Sequence, residues 1–416
     1  MKEKVLILTP INDLSSYRIY KYASSYLKLT CPFDLYFVEP LKKIFSYVLP
    51  YDFQKRIVEI GIKRMNKEVI KIVKDWKPDF IIYLSGYYEF TEKTLKEMKN
   101  LSILIGWFFD DEFRFDNYTK YWIPYFDFFV THSIDAIEKY KKFNVNVIHV
   151  LPCDGIPYYP DWEKKEEIYD VSFIGSKTYD REKYLSHLIS NFKNLNIFIG
   201  GYGLGKYLSF EGMNEIFRKS KINLCFTKTF NNKKQWKGRI FEVMLQGGFM
   251  LTEYVPHLEK YFEIGKEIDY FDNEKELVEK IEYYLKNEKE RKEIAKNGWK
   301  KCIENYTPYH RMLKVFSEIE KRIDIKKDYY INNKSFKRRL KKNYSEYYIY
   351  MGKAFIMSGY KKFGRETLFL AFKNNLFNFK TYIYYLFSYI PIYFYKTLLK
   401  LYKNLKTNKK IVKIIK

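Results

Sequence analysis

The sequence predicts an α/β protein of two doubly wound, Rossmann-like domains that face a cleft, followed by a C-terminal helical extension. Three observations carry this expectation. Short apolar runs alternate with amphipathic segments, the rhythm halts in a polar, proline-bearing stretch at 157–167 and then restarts, and the alternation disappears beyond residue 326. A chain of 416 residues exceeds one ordinary core, and 47% hydrophobic with 30% charged residues is a globular composition.

In the first domain, taken as residues 1–156, the runs 5–8, 35–38, 80–84, 103–107, 128–131 and 147–151 read as buried parallel strands. Between them, 54–74 carries Ile57, Ile60, Met65, Val69, Ile72 and Val73 at helical spacing, and Trp76-Lys77-Pro78-Asp79 ends the pattern. The second domain, 168–306, opens with the run 169–175. It continues through strands at 196–199, 222–226, 249–252 and 268–271 to a helical pattern over 275–306. Thr307-Pro308 is a helix start, and 307–325 continues helically through Met312, Val315, Phe316 and Ile319, long enough to cross back to the first domain.

The tail, 326–416, holds a helix pair at 348–358 and 364–373 with Gly359 near the turn, then 15 residues without charge at 381–395. That stretch is shorter than the ~20 residues of a spanning helix, and Pro391 interrupts it. The tail carries 22 Lys or Arg against 3 acidic residues, hence +19 of the chain's +25. Residues 381–416, in which that uncharged, Tyr-rich stretch is followed by Lys396, Lys400 and Lys403, therefore read as an amphipathic element on an anionic membrane surface. A chain cut near Lys326 is then expected to fold and bind its donor without attaching to vesicles; packing of the tail on the body is the alternative. The four cysteines, Cys31, Cys153, Cys225 and Cys302, form no metal-ligand spacing. The apolar run after Lys4 is too short for a secretion signal. These features point to a reduced, cytoplasmic protein, peripheral on the inner face of the membrane.

The most informative stretch is 237–256: Lys237-Gly238-Arg239-Ile240-Phe241-Glu242 opens a helix, Gly247-Gly248-Phe249 ends it, and a buried strand leads to Thr252-Glu253-Tyr254-Val255-Pro256. Arg239 and Glu242, three apart, share a helix face, where a cation can meet diphosphate oxygens while a carboxylate accepts from ribose hydroxyls. The helix N-terminus adds oriented N–H groups for the same phosphates. A solvated Arg/Glu pair is the plainer reading of the same spacing.

This stretch resembles the donor domain of GT-B glycosyltransferases of the spore-maturation-type and family-1-like groups. Trp107-Phe108-Phe109-Asp110-Asp111, Tyr125-Phe126-Asp127 with Thr131, and Tyr169-Asp170-Val171-Ser172-Phe173-Ile174-Gly175-Ser176 resemble that group's recurring segments in order, over about residues 1–315. The resemblance implies a metal-independent, hexosyltransferase-like enzyme with no cofactor beyond its donor substrate. The nucleotide sugar would lie on the second domain and the acceptor on the first. It further implies Glu242 at the ribose and Lys237 with Arg239 at the diphosphate. One departure is Lys234, which stands where related retaining enzymes often carry a second glutamate for the sugar.

Other candidates lie at strand ends. Gly175 and Ser176 follow the first strand of the second domain, where backbone N–H groups face a ligand, and Glu253, Tyr254 and Glu259 occupy the loop after another strand. On the first domain Asp110, Asp111 and Glu112 follow a buried strand and are expected to face the cleft, with one carboxylate acting on the acceptor hydroxyl. His132 is a second candidate base. Helix capping by the paired aspartates and a structural histidine are the plainer readings. Gly200-Gly201-Tyr202-Gly203-Leu204-Gly205 does not end in the Gly-Lys-Ser/Thr of a Walker loop, nor does it lie in the chain's first βα unit, and it reads as a flexible connection. The expected function is transfer of a sugar from a nucleoside diphosphate sugar to a glycan, lipid-linked or protein acceptor in cell-surface glycoconjugate synthesis. A nucleic-acid-binding protein using the basic aromatic tail is the alternative, although no nucleic-acid motif is present.

Overall fold

The computed structural model describes residues 4–10, 14, 16–23, 32–84, 86–164, 166–177, 179–201, 203–204, 208–229, 232–323, 334–376, 378–390 and 394, and two parallel sheets frame it. The first comprises β1 (Lys4–Leu8), β2 (Tyr47–Tyr51), β3 (Phe80–Leu84), β4 (Ile103–Phe108), β5 (Phe128–Thr131) and β6 (Asn146–His149), in the order β2-β1-β3-β4-β5-β6. The second comprises β7 (Tyr169–Ile174), β8 (Ile197–Gly200), β9 (Ser220–Cys225), β10 (Met250–Glu253) and β11 (Asp269–Phe271), in the order β11-β10-β9-β7-β8. Every pairing is parallel, and both faces of each sheet are buried, which is why the strands read as continuous apolar runs.

Side chains alternate between the two faces of the first sheet. Val5, Ile7, Phe80, Ile82 and Trp107 meet Met312, Val315, Phe316 and Ile319 of helix Pro308–Glu320, so the segment after the second domain does return to the first. Thr307 caps that helix in a capping box with His310. On the opposite face Leu6, Leu8, Ile81 and Tyr83 pack against helix Ile62–Trp76. The helical pattern expected over 54–74 is present but broken at Gly61 into Phe53–Ile60 and Ile62–Trp76.

Two expectations are corrected. Residues 35–38 are no strand: Asp34–Val38 is a π-helical turn running into helix Glu39–Lys42, with Tyr36, Phe37 and Val38 buried. An apolar run of four residues does not by its period distinguish strand from helix. The outer strand is instead β2, which tolerates Pro50 because it pairs on one side alone. The tail, second, is not a separable appendage. Helices Lys334–Met357 and Lys361–Asn374 bury Leu340, Tyr344, Tyr348, Met351, Phe355, Leu368 and Ala371 in the first domain's core. The Tyr344 hydroxyl donates to the Phe90 carbonyl at 2.9 Å, and the Asn343 amide donates to the Tyr88 hydroxyl at 2.9 Å. A third helix, Phe379–Phe387, follows. Of the expected membrane segment 381–416, residues 391–393 and 395–416 lie outside the described residues. Among the described residues no helix is long and apolar enough to cross a membrane.

Candidate functional site

The C-terminal edges of the two sheets face one another. On the second domain β7 ends at Ile174, and helix Gly238–Leu245 begins beside it with Lys237 as an extended N-cap whose side chain makes no cap bond; the Ile240 N–H donates to the Lys237 carbonyl, while those of Gly238 and Arg239 have no partner among the described residues. A cavity of about 270 Å³ lies here, lined by Gly175, Arg181, Lys237, Arg239, Glu242 and Asp154. Three cations converge on it. Arg181 Nη1 donates to the carbonyl and hydroxyl of Ser176, both at 2.9 Å, while its buried Nε has no partner among the described residues. Burial pushes the Arg181 guanidinium and the Lys237 ammonium below their ordinary pKa, and the Asp110 carboxylate opposes the shift at Lys237. Lys237 makes no ion pair within 4.0 Å among the described residues, so in this half-buried site its charge is offset at longer range, by Asp110 and Glu112.

Arg239 and Glu242 sit one turn apart, as their spacing predicts, and pair at 2.7 Å. Glu242 also accepts at 2.9 Å from the hydroxyl of Tyr36, which belongs to the π-helical turn of the first domain. The linker is anchored against the same helix. Arg311, buried in the crossing helix, donates from Nη1 to Asp154 at 2.6 Å and to the Pro152 carbonyl, and from Nη2 to the Tyr36 carbonyl at 2.7 Å. Its guanidinium lies 4.4 Å from the Phe37 ring centroid. Burial pushes the Asp154 carboxyl up to about 6, against the pull of Arg311. Gly155, with φ of +122°, lets the linker lie against the helix: a Cβ there would stand 2.9 Å from the Glu242 Cα.

Across the cleft, Asp110 follows β4 in a left-handed conformation with φ of +64°, a strain that a non-glycine residue holds when its surroundings fix it. Its Oδ1 accepts from Gln235 Nε2 of the second domain at 3.0 Å. Glu112 and Ser133 face Gln235, Trp236 and Pro256 across the same gap. Burial, reinforced by the negative charges of Asp110 and Asp111, pushes the Glu112 carboxyl up to about 7.

Asp111 and His132 do not point where their strand-end positions suggest. The Asp111 carboxylate is buried within the first domain and accepts from Thr119 Oγ1 at 2.6 Å, Thr131 Oγ1 at 2.7 Å and the Tyr140 hydroxyl at 2.8 Å. It ties strand ends together instead of meeting the cleft. His132 Nε2 accepts from the Trp107 indole at 3.2 Å while Nδ1 donates to the Val150 carbonyl at 2.9 Å, and burial pushes its pKa down to about 3. The ring is neutral with both nitrogens engaged, which leaves it no acceptor site for a substrate proton.

The remaining candidates scatter. Buried Glu253 accepts from the Thr227 and Lys228 amides at 2.8 and 3.0 Å and closes the loop after β9. Tyr254 donates to Glu259 at 3.3 Å at the exposed rim, and neither lines the cavity. Ser176 positions Arg181. Lys234 pairs with Asp272 at 2.9 Å. The glycine run is partly structural: Gly201, with φ of +115°, approaches Gly175 so closely that a Cβ would lie 2.1 Å from its carbonyl oxygen. Tyr202 and Gly205 of that run lie outside the described residues. Arg181, Tyr36, Asp154 and Arg311 escape a reading by motif. Arg181 alone had a sequence signal, as a cation five residues beyond Ser176 near the start of helix Tyr179–Asn191.

Residues 162–317 match the family model described as glycosyl transferase-like, a span that holds the cavity-lining residues from Phe173 to Glu242 but not Asp154. No curated protein matches the chain. Similar solved structures include a glycosyltransferase from Rickettsia africae ESF-5, with 14% identity over 78% of this chain and 100% of that one and a TM-score of 0.48. Anabaena HepE in complex with UDP matches with 11% identity over 76% and 100% of the two chains and a TM-score of 0.44. TarM of S. aureus matches with 11% identity, a TM-score of 0.45 and 61% of this chain covered; the match spans 58% of TarM's length.

Proposed function

We propose that the chain is a glycosyltransferase that moves a sugar from a nucleoside diphosphate sugar to an acceptor hydroxyl. The observation that carries the reading is the convergence of Arg181, Lys237 and Arg239 with Glu242 on one cavity at a helix N-terminus, inside the segment that matches the glycosyl transferase-like model. The diphosphate meets Arg181, Lys237 and the open N–H groups of helix Gly238–Leu245, and the ribose hydroxyls bond Glu242. As the anomeric C–O bond breaks, its electron pair leaves on the diphosphate, and fixed cations in a half-buried site hold that charge more strongly than water does.

The acceptor oxygen forms the new bond to the anomeric carbon and gives its proton to Glu112, whose raised pKa suits a general base near neutrality. Asp110 orients Gln235 at the mouth of the gap. Protein cations hold the charge at the leaving group in this reading, and no metal is called on. The acceptor is a glycan, lipid-linked or protein hydroxyl of a cell-surface glycoconjugate, met by the first domain in the cytoplasm. Titration calorimetry with UDP, GDP, ADP and TDP tests the donor site. One of them should bind the full chain, and Lys237→Ala with Arg181→Ala should weaken it at least tenfold. Binding that is indifferent to both substitutions would remove the donor from this cavity.

A further inference from the structure

Helix Phe379–Phe387 has two unlike faces. Tyr384, Tyr385 and Phe387 pack toward the first domain's core, and Thr381 is buried. On the outer side Phe379, Tyr382 and Leu386 follow at intervals of three and four and so share one face, and they are 75%, 43% and 66% exposed. Leu376 and Tyr389, each 62% exposed, flank the helix at either end. Single exposed apolar residues are ordinary, but three on one helix face with another at each end mark a surface that meets something apolar.

The charge around the patch says what that is. Among the described residues from 367 onward the charged side chains are Lys373 and Lys380, with no acidic residue. Lys380 is exposed beside Phe379, Lys373 lies 5.2 Å from the Phe369 ring, and Arg365 lies 4.9 Å from the Tyr389 ring. A second copy of the chain seated on this patch would bring the same cations face to face. A nucleic acid could stack on Phe379, Tyr382 and Tyr389 but would leave Leu376 and Leu386 without an apolar partner. An anionic bilayer satisfies both features, since apolar side chains enter the acyl boundary while lysines remain among acidic headgroups.

We propose that the patch of Leu376, Phe379, Tyr382, Leu386 and Tyr389 is the surface by which the protein docks on an anionic lipid bilayer. Because these helices are packed into the first domain, docking holds that domain, and with it the cleft, at the membrane. The inference is independent of the transfer reaction.

Sedimentation with phosphatidylcholine vesicles, with and without phosphatidylglycerol, tests it on the full chain. Attachment is expected with the anionic vesicles at low salt, falling about tenfold or more on neutral vesicles or in high salt. Phe379→Ser with Leu386→Ser should lower anionic-vesicle binding by about tenfold or more, with unchanged thermal unfolding because both side chains are exposed. If that pair fails to fold, Lys373→Gln with Lys380→Gln should weaken attachment in its place. No attachment of the full chain, or attachment equal in the variants, overturns the proposal. So does a dimer in light scattering that the serine pair dissociates, which would assign the face to a second copy.

Discussion

Glu242 stands where three interactions meet: its own helix's Arg239, the Tyr36 hydroxyl of the other domain, and the cavity. With Tyr36 on Oε1 and Arg239 on Oε2, the carboxylate keeps acceptor sites for ribose hydroxyls, so donor binding and domain contact converge on one group. Glu242→Ala should weaken nucleoside diphosphate binding by about 1–3 kcal/mol, the range for lost hydrogen bonds to a charged group, without lowering the melting temperature much. Calorimetry on the folded variant gives the answer, and unchanged affinity would return Glu242 to a purely interdomain role. Glu112 makes a separate claim. Its carboxyl titrates near 7 in the folded chain and must be ionised to accept a proton, so kcat/KM should fall about tenfold per pH unit below that value. The stability sign is opposite: the folded state holds this proton more tightly than the unfolded state, so the group's contribution to stability declines as pH rises from 4.5 towards 7. Glu112→Gln should abolish the acid limb and lower kcat while leaving nucleoside diphosphate affinity intact, and a retained limb would assign the base elsewhere. Lys237, Arg239 and Glu242 are legible in the sequence because one helical turn brings them together. Asp111 and His132 mislead because a strand-end position does not say which way a side chain turns.

At the scale of elements, ten of the eleven strands among the described residues lie within or beside apolar runs that the sequence displays, since burial on both faces leaves no polar alternation to obscure them. β2 escapes because Pro50 interrupts it, and the π-helical turn Asp34–Val38 imitates the strand it is not. That turn matters, because it carries Tyr36 to Glu242 and presents the Tyr36 carbonyl and the Phe37 ring to Arg311. No sequence period announces such a junction, since its parts come from residues 36, 154, 242 and 311. Arg311→Ala would leave Asp154 beside an emptied, low-dielectric joint and the Pro152 and Tyr36 carbonyls without their donor. The expected cost is about 3 kcal/mol or more, the range for breaking a buried pair. Urea unfolding followed by tryptophan emission measures it, and a cost below 1 kcal/mol would show the joint to be held by apolar packing alone.

For the whole molecule, charge and packing give different maps of the tail. By charge it is foreign to the body, with +19 of the chain's +25, which is why it reads as a detachable extension. By packing it belongs to the first domain. Tyr344, Met351, Phe355 and Leu368 are buried to within 1% of full exclusion, and Tyr88 and Trp122 of the body lie against Tyr344 with ring centroids 4.8 and 6.1 Å away. Burying one large apolar side chain is worth about 1.5–3 kcal/mol, so the loss of four exceeds much of a domain's net stability of about 5–15 kcal/mol. A chain ending at residue 323 should therefore aggregate or stay unfolded, contrary to the reading from charge alone. Tyr344→Ala in the full chain should cost about 3–5 kcal/mol, as aromatic truncations in cores do, and also strips the hydrogen bond to Phe90. Size-exclusion chromatography of the shortened chain beside calorimetric melting of Tyr344→Ala tests both. A monomeric, cooperatively melting fragment would mean that the sheet and helix Ile62–Trp76 close their own core, and that the tail helices only cover it.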